Sequence, residues 1–70
     1  MKDLIIKPDF IKLDQALKLS GLVLTGGEAK EVIQNGEVKV NGEICLMRGK
    51  KLREGDIFSF DNEKFIIKFN

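Results

Sequence analysis

The spacing of apolar residues predicts a short helix in the first third of the chain. In the segment "KLDQALKLSG" the residues that would face a core recur at i, i+3, i+4 and i+7, which places them on one side of a helix. These residues are Leu13, Ala16, Leu17 and Ser20. Asp14 is suited to cap the N-terminus of this helix, and Gly21 is suited to end it.

A second helix is predicted from about Gly26 to Asn35. Thr25 is followed three residues later by Glu28, as in a capping box. In that motif the Thr25 hydroxyl accepts a hydrogen bond from the Glu28 N–H, while the Glu28 carboxylate accepts one from the Thr25 N–H. The residues on the inner face are Ala29, Val32 and Ile33. The apolar segment "GLVL" is too short for an element of its own, so the two helices should lie side by side.

The apolar period then changes from about 3.6 to 2, which predicts strands. In "EVKVNGEI", Val38 and Val40 point inward, and Asn41-Gly42 is typical of a two-residue hairpin turn. The segments "DIFSF" and "EKFIIKF", separated by "DN", predict a second hairpin. Pro8 limits the apolar residues 4–6 to an edge strand or a docked tail. The predicted fold class is α+β, with two short helices packed on a small, mainly antiparallel sheet.

Composition limits the class of protein. The 70 residues are 43% apolar and 33% charged, which predicts one globular domain over residues 1–70. No apolar run approaches the 18 or so residues of a membrane span, and the N-terminal stretch "MKDLIIKPD" lacks the apolar h-region of a signal peptide. A cytoplasmic protein without a membrane partner is therefore expected. The single cysteine, Cys45, excludes an internal disulfide and is expected to be a half-buried hydrophobe.

The charge is clustered although the net charge is only +1. A value this small gives no global attraction for a polyanion, so a nucleic-acid site must rest on local cations. The segment "RGKKLR" provides such a cluster, with Arg48, Lys50, Lys51 and Arg53 close together.

The glycine pair of "TGGEAK" has two interpretations. Gly26 and Gly27 fall in the first turn of the second helix, where backbone N–H groups have no intrahelical partner and the lack of side chains allows close approach. A phosphate is the natural ligand for such a helix end. Alternatively, the glycines only avoid a clash in a tight turn between two packed helices.

The outer face of the second helix continues from the glycine pair. Gly27, Lys30 and Gln34 share one exposed strip at helical spacing, and this strip could follow a nucleic-acid backbone. Glu31 lies on the same strip and would repel phosphate. A solvated helix face remains the alternative.

No catalytic or cofactor site is indicated. Histidine is absent, no Cys, Ser or Thr has an evident general base, and no carboxylate pair is identifiable, so we expect neither an enzyme nor a small-molecule substrate. Asp56 in "REGD" is expected to cap a turn and not to bind a metal. Stacking on bases is not expected to dominate, because Phe58, Phe60, Phe65 and Phe69 are better explained as core. Phe10 fits the core less well.

Residues 11–60, "IKLDQALKLSGLVLTGGEAKEVIQNGEVKVNGEICLMRGKKLREGDIFSF", resemble the small RNA-binding domain first known from ribosomal small-subunit protein four, the S4-like or αL domain. The Leu-Asp opening, Gly-Glu-Ala-Lys, Val-x-Val-Asn-Gly and Gly-Asp recur in order and at family spacing. The stand-alone bacterial subgroup is most similar. The resemblance implies binding to structured RNA, often ribosomal RNA, through the two helices and the edge of the following strand. We expect the protein to be a monomer.

The resemblance also implies which residues contact RNA. They are Lys12 and Gln15 at the first helix, Thr25, Gly26 and Gly27 in the turn, Lys30 and Gln34 on the second helix, Lys39 on the next strand, and Arg48, Lys50 and Lys51 in the basic loop. One departure is that most of the wider family has Ser-Arg where Thr25-Gly26 stands here. A phosphate contact is therefore missing, for which Lys12, Lys50 and Lys51 can compensate.

Two other classes of protein stay open at this point. "VKVNGEI" and "KLREGDIFSF" also resemble the second half of the β-grasp sulfur carriers, but those end in Gly-Gly, whereas the sequence here ends in "IIKFN". The other alternative is a protein-interaction adaptor that acts through the sheet face.

Overall fold

Seven strands and two helices form the fold, in a computed structural model that describes residues 1–70. In chain order the elements are β1 (Lys2–Ile6), β2 (Ile11–Lys12), α1 (Leu13–Leu19), α2 (Gly26–Gln34), β3 (Val38–Val40), β4 (Glu43–Ile44), β5 (Lys51–Leu52), β6 (Ile57–Phe60) and β7 (Glu63–Phe69). Neither helix is long and apolar enough to cross a membrane.

Five of the strands form one sheet in the order β1-β7-β6-β3-β4. All neighbouring pairs are antiparallel except β1 and β7, which run parallel. β1 is an edge strand, as predicted for residues 4–6. The remaining strands, β2 and β5, pair antiparallel as a separate two-stranded ribbon that the sequence pattern did not predict.

Both helices pack on one face of the five-stranded sheet. Because strand residues alternate between faces, the register places Val38, Phe58 and Phe65 on the same side. These side chains join Leu17 and Ile33 of the helices in one apolar core that contains no buried polar side chain. The α+β fold class is confirmed. Phe60, Phe69 and Cys45 pack against this core as partly buried residues, as expected.

The end of α1 follows the predicted stop at Gly21. This residue has φ +82°, a left-handed conformation that favours glycine. Its N–H donates to the Lys18 carbonyl at 3.0 Å, and the Leu22 N–H donates to the Leu17 carbonyl at 3.2 Å. This pair of bonds satisfies carbonyls that the helix itself leaves free, and it turns the chain toward α2.

The predicted hairpin turn at Asn41-Gly42 is confirmed, with φ +52° and +86° for the two residues. The side chain of Asn41 also joins this turn to the start of β6. Its Oδ1 accepts from the Ile57 N–H at 2.9 Å, and its Nδ2 donates to Asp56 Oδ1 at 3.1 Å. Asp56 Oδ2 accepts from the Arg53 N–H at 2.8 Å, so Asp56 caps the "REGD" turn as predicted.

Candidate nucleic-acid interface

The basic loop is fixed to the N-terminus of α1 by its backbone. The Leu13 N–H donates to the Lys50 carbonyl at 2.8 Å, and the Asp14 N–H donates to the Arg48 carbonyl at 3.1 Å. The first N–H groups of a helix need acceptors from outside the helix. Here the loop supplies them, and the side chains of Arg48 and Lys50 stay exposed.

The predicted N-cap at Asp14 is therefore wrong. The helix begins at Leu13, and the N-cap residue is Lys12, which makes no side-chain cap bond. The Asp14 carboxylate instead accepts from the Gln15 N–H at 2.8 Å. The physical reason is that carbonyls from a distant segment already occupy the position that a capping side chain would take.

The two-stranded ribbon places two predicted cations directly opposite each other. Lys12 pairs with Lys51, and Ile11 pairs with Leu52. Leu52 is fully buried, so the Lys12 and Lys51 side chains project from the other, exposed face. Like charges in this arrangement are unfavourable unless an anion lies nearby. Lys51 belongs to strand β5 and not to the basic loop to which the resemblance assigned it.

An aromatic side chain that was not among the predicted residues lies beside these lysines. Lys51 Nζ lies 4.9 Å from the centre of the Phe10 ring, and Arg53 Cζ lies 5.6 Å from it. The sequence signal was weak, because a single phenylalanine after Pro8 has no periodic neighbours. The position of Phe10 depends on the pairing of β2 with β5, because Phe10 directly precedes Ile11 and Arg53 directly follows Leu52.

The outer face of α1 continues from the ribbon as a shallow groove. Its lining comprises Ile11, Gln15, Lys18 and Leu19. Gln15 was predicted to contact RNA, whereas Lys18 was not. Lys18 lies three residues after Gln15, so helical spacing could have identified it.

The N-terminus of α2 is capped by Thr25, as predicted. Thr25 Oγ1 accepts from the Glu28 N–H at 3.1 Å. The second half of the predicted capping box differs by one residue, because Glu28 Oε1 accepts from the Leu24 N–H at 2.9 Å and not from that of Thr25. The Glu28 carboxylate thus fixes the backbone at Leu24, just before the helix. Its negative charge is also stabilised by the partial positive charge of the helix N-terminus.

The glycine pair leaves the first turn of α2 open. A Cβ atom added at Gly26 would meet nothing within 4 Å, and one added at Gly27 would meet only Thr25 Oγ1 at 3.9 Å. Neither residue has a positive φ. The interpretation that these glycines avoid a clash is therefore wrong. Their N–H groups donate to no acceptor in the chain, so they are available to a ligand.

The cations of this region are not neutralised by the protein. The only salt bridge in the molecule joins Lys2 and Glu63, at 3.6 Å, on the neighbouring strands β1 and β7. Lys30 and Gln34 are exposed along the outer face of α2, and the exposed Glu31 accompanies them as the sequence indicated.

Lys39 lies apart from the other predicted residues. Val38 and Val40 face the helices, so Lys39 projects from the opposite face of the sheet. There it lines a shallow hollow with Ser59 and Lys64, its neighbours across β6 and β7. The strict alternation of strand residues explains why Lys39 cannot join the surface of the helices.

Comparison with known proteins gives two concordant matches. The pattern of the S4 domain family matches residues 4–68 of the chain. A probable ribosome maturation protein, RlbA of Bacillus subtilis (strain 168), is 39% identical over 56 residues, which cover 80% of this chain and 79% of that protein.

Proposed function

This chain belongs to the S4 domain family, and we propose that it is a non-catalytic, cytoplasmic RNA-binding protein of bacterial type. Its ligand is structured RNA, namely ribosomal RNA or a ribosomal particle. The protein binds as a monomer and contacts mainly the phosphate backbone. The name of the similar Bacillus protein, a probable ribosome maturation protein, supports a role in ribosome maturation.

The observation that carries this proposal is a set of unpaired cations next to a helix pair. Lys12 and Lys51 face each other on the ribbon, and Arg48 and Lys50 are presented by the loop that docks on α1. No carboxylate forms a salt bridge with any of them. Double-stranded RNA exposes phosphates and 2′-hydroxyls while its major-groove base edges are inaccessible, so a rigid surface of this kind recognises shape more than sequence.

The open first turn of α2 adds donors to these charges. The N–H groups of Gly26 and Gly27 can bind one phosphate, with Thr25 beside them and Lys30 and Gln34 following along the helix. The proposed RNA-binding residues are those that the resemblance implied, except Lys39, together with Lys18 of the groove along α1. Lys39 is omitted because it projects from the far face of the sheet.

Salt dependence is the first test. If about four phosphates are neutralised, the slope of log affinity on log salt concentration should be about −3 to −4. The measurement is a fluorescence-anisotropy titration with a short RNA stem-loop at several salt concentrations. An affinity independent of salt contradicts the proposal.

Charge reversal locates the interface. We expect the variant with Arg48, Lys50 and Lys51 changed to Glu to lose most RNA recovered by cross-linking and sequencing in cells. The matched control changes Lys39, Lys64 and Lys68 to Glu, which alters the net charge equally but on the exposed outer face of the sheet. Equal loss from both variants would show that only net charge matters, and unchanged recovery from the first would remove the loop from the site.

The same experiment separates RNA binding from the adaptor alternative. The outer face of the sheet exposes Ile5 and Ile44, which a protein partner could cover. The measurement is a pull-down of proteins with the same two variants. A protein partner that stays bound after nuclease treatment and at high salt, and that only the control variant fails to bind, would favour the adaptor.

A further inference from the structure

The exposed face of the β2–β5 ribbon combines one aromatic ring with three cations. Opposite residues of an antiparallel pair share a face, and faces alternate along each strand. Leu52 is fully buried, so the Lys12–Lys51 pair next to it points outward. Phe10 lies on the same side, because Lys51 and Arg53 lie over its ring. We call this surface the ribbon face; it consists of Phe10, Lys12, Lys51 and Arg53.

Phe10 is the most exposed of the five phenylalanines, with 37% of its surface accessible. A buried ring would serve the core, but this ring borders solvent and has Lys51 Nζ and Arg53 Cζ within 4.9 Å and 5.6 Å of its centre. Cations attracted to an exposed ring are held weakly. Another flat group can therefore replace the Lys51 ammonium on the ring, and the ammonium is then free to contact a phosphate.

The acidic residues that follow the ribbon in the chain are held elsewhere. Glu54 Oε2 accepts from the Phe69 N–H at 3.1 Å, at the end of β7. The Asp56 carboxylate accepts from the backbone of Arg53 and from Asn41. Asp9, which precedes Phe10, is exposed and makes no such bond. No salt bridge therefore neutralises the ribbon face, and its charge complements an anionic backbone.

We infer that the ribbon face binds an unpaired nucleotide of the RNA, with its base stacked on Phe10 and Arg53 and its phosphates on Lys12 and Lys51. This inference rests on the proposed function and narrows its ligand. A phenyl ring and a guanidinium both stack on bases without regard to sequence, and unpaired bases are the ones that proteins can reach in RNA. The preferred ligand is then an RNA stem with unpaired nucleotides next to it, and not a continuous duplex.

The test compares two RNAs and three proteins. One RNA is a short blunt duplex, and the other is the same duplex with a few unpaired nucleotides at one 3′ end, one of them the fluorescent base 2-aminopurine. The proteins are the unchanged chain, Phe10→Leu, which keeps an apolar side chain, and Phe10→Tyr, which keeps a stacking ring. Thermal unfolding confirms that all three are folded.

We expect the unchanged chain to bind the overhang RNA about tenfold more tightly than the blunt duplex and to quench the 2-aminopurine emission. Phe10→Leu should lose this preference and the quenching while binding the blunt duplex within about twofold of the unchanged chain. Phe10→Tyr should retain both. Equal binding of the two RNAs by all three proteins overturns the inference and leaves the proposed function intact. Absence of binding to either RNA at low salt overturns both.

Discussion

The two helices of this protein begin in opposite ways. At α1 the first N–H groups donate to the carbonyls of Lys50 and Arg48, so another segment of the chain closes the helix end. At α2 the Thr25 hydroxyl takes one N–H group, and those of Gly26 and Gly27 remain open. The same kind of helix end thus holds a basic loop in one case and offers donors to a ligand in the other.

The leucines at the start of the two helices also differ in burial. Leu13, the first residue of α1, is fully buried, whereas Leu24, just before the Thr25 cap of α2, is 86% exposed. The N-terminus of α1 therefore belongs to the core, and the loop bonded to it holds the exposed side chains of Arg48 and Lys50 on a rigid support. The open end contributes little to the core, which leaves its surface free to contact RNA.

The largest expected effect comes from truncating the buried leucine. Leu13→Ala should lower the free energy of unfolding by about 3 kcal/mol, because it leaves a cavity under the docked loop. Leu24→Ala, the matched change at the open end, should alter it by less than about 0.5 kcal/mol. Urea denaturation followed by circular dichroism measures both. Similar losses of unfolding free energy in the two variants would contradict the proposed difference between the two helix ends.

The two N-cap residues should also differ. Thr25→Ala removes a side-chain cap and should cost about 1 kcal/mol of stability. Lys12→Ala removes no cap bond and relieves the repulsion with Lys51, so its free energy of unfolding should stay within about 0.5 kcal/mol of the original. A loss of stability in Lys12→Ala equal to that in Thr25→Ala would show that the loop carbonyls do not replace a cap.

Local signals made most of the fold predictable. The helical spacing around Leu17 and Ile33, the Asn41-Gly42 turn and the left-handed Gly21 each depend on residues close in sequence, and each was predicted correctly. The ribbon was not predictable in this way. Its strands have two residues each and pair across a long stretch of chain, so neither a period nor a turn indicates them.

The candidate site shows the same division. The free N–H groups at Gly26 and Gly27 could be predicted from the sequence, because they depend only on the residues of one helical turn. The displaced cap at Asp14 and the position of Phe10 depend on the distant basic segment, which sequence reasoning treated as a free loop. The resemblance gave only the position of Lys39 along the strand, whereas strand alternation decides that its side chain projects from the face opposite the helices.

The affinity of Gly26→Pro for RNA tests the central claim most directly. Proline is suited to the first helical position, and Thr25 before it is already extended, with ψ 160°, so the helix should form and stability should rise by about 0.5 kcal/mol. The substitution removes one open N–H donor, and we expect RNA to bind about threefold more weakly. Gly26→Ala, which keeps the donor, should lose less. An RNA affinity of Gly26→Pro equal to that of the unchanged protein, with the helix intact, would contradict the claim that the open end of α2 binds phosphate.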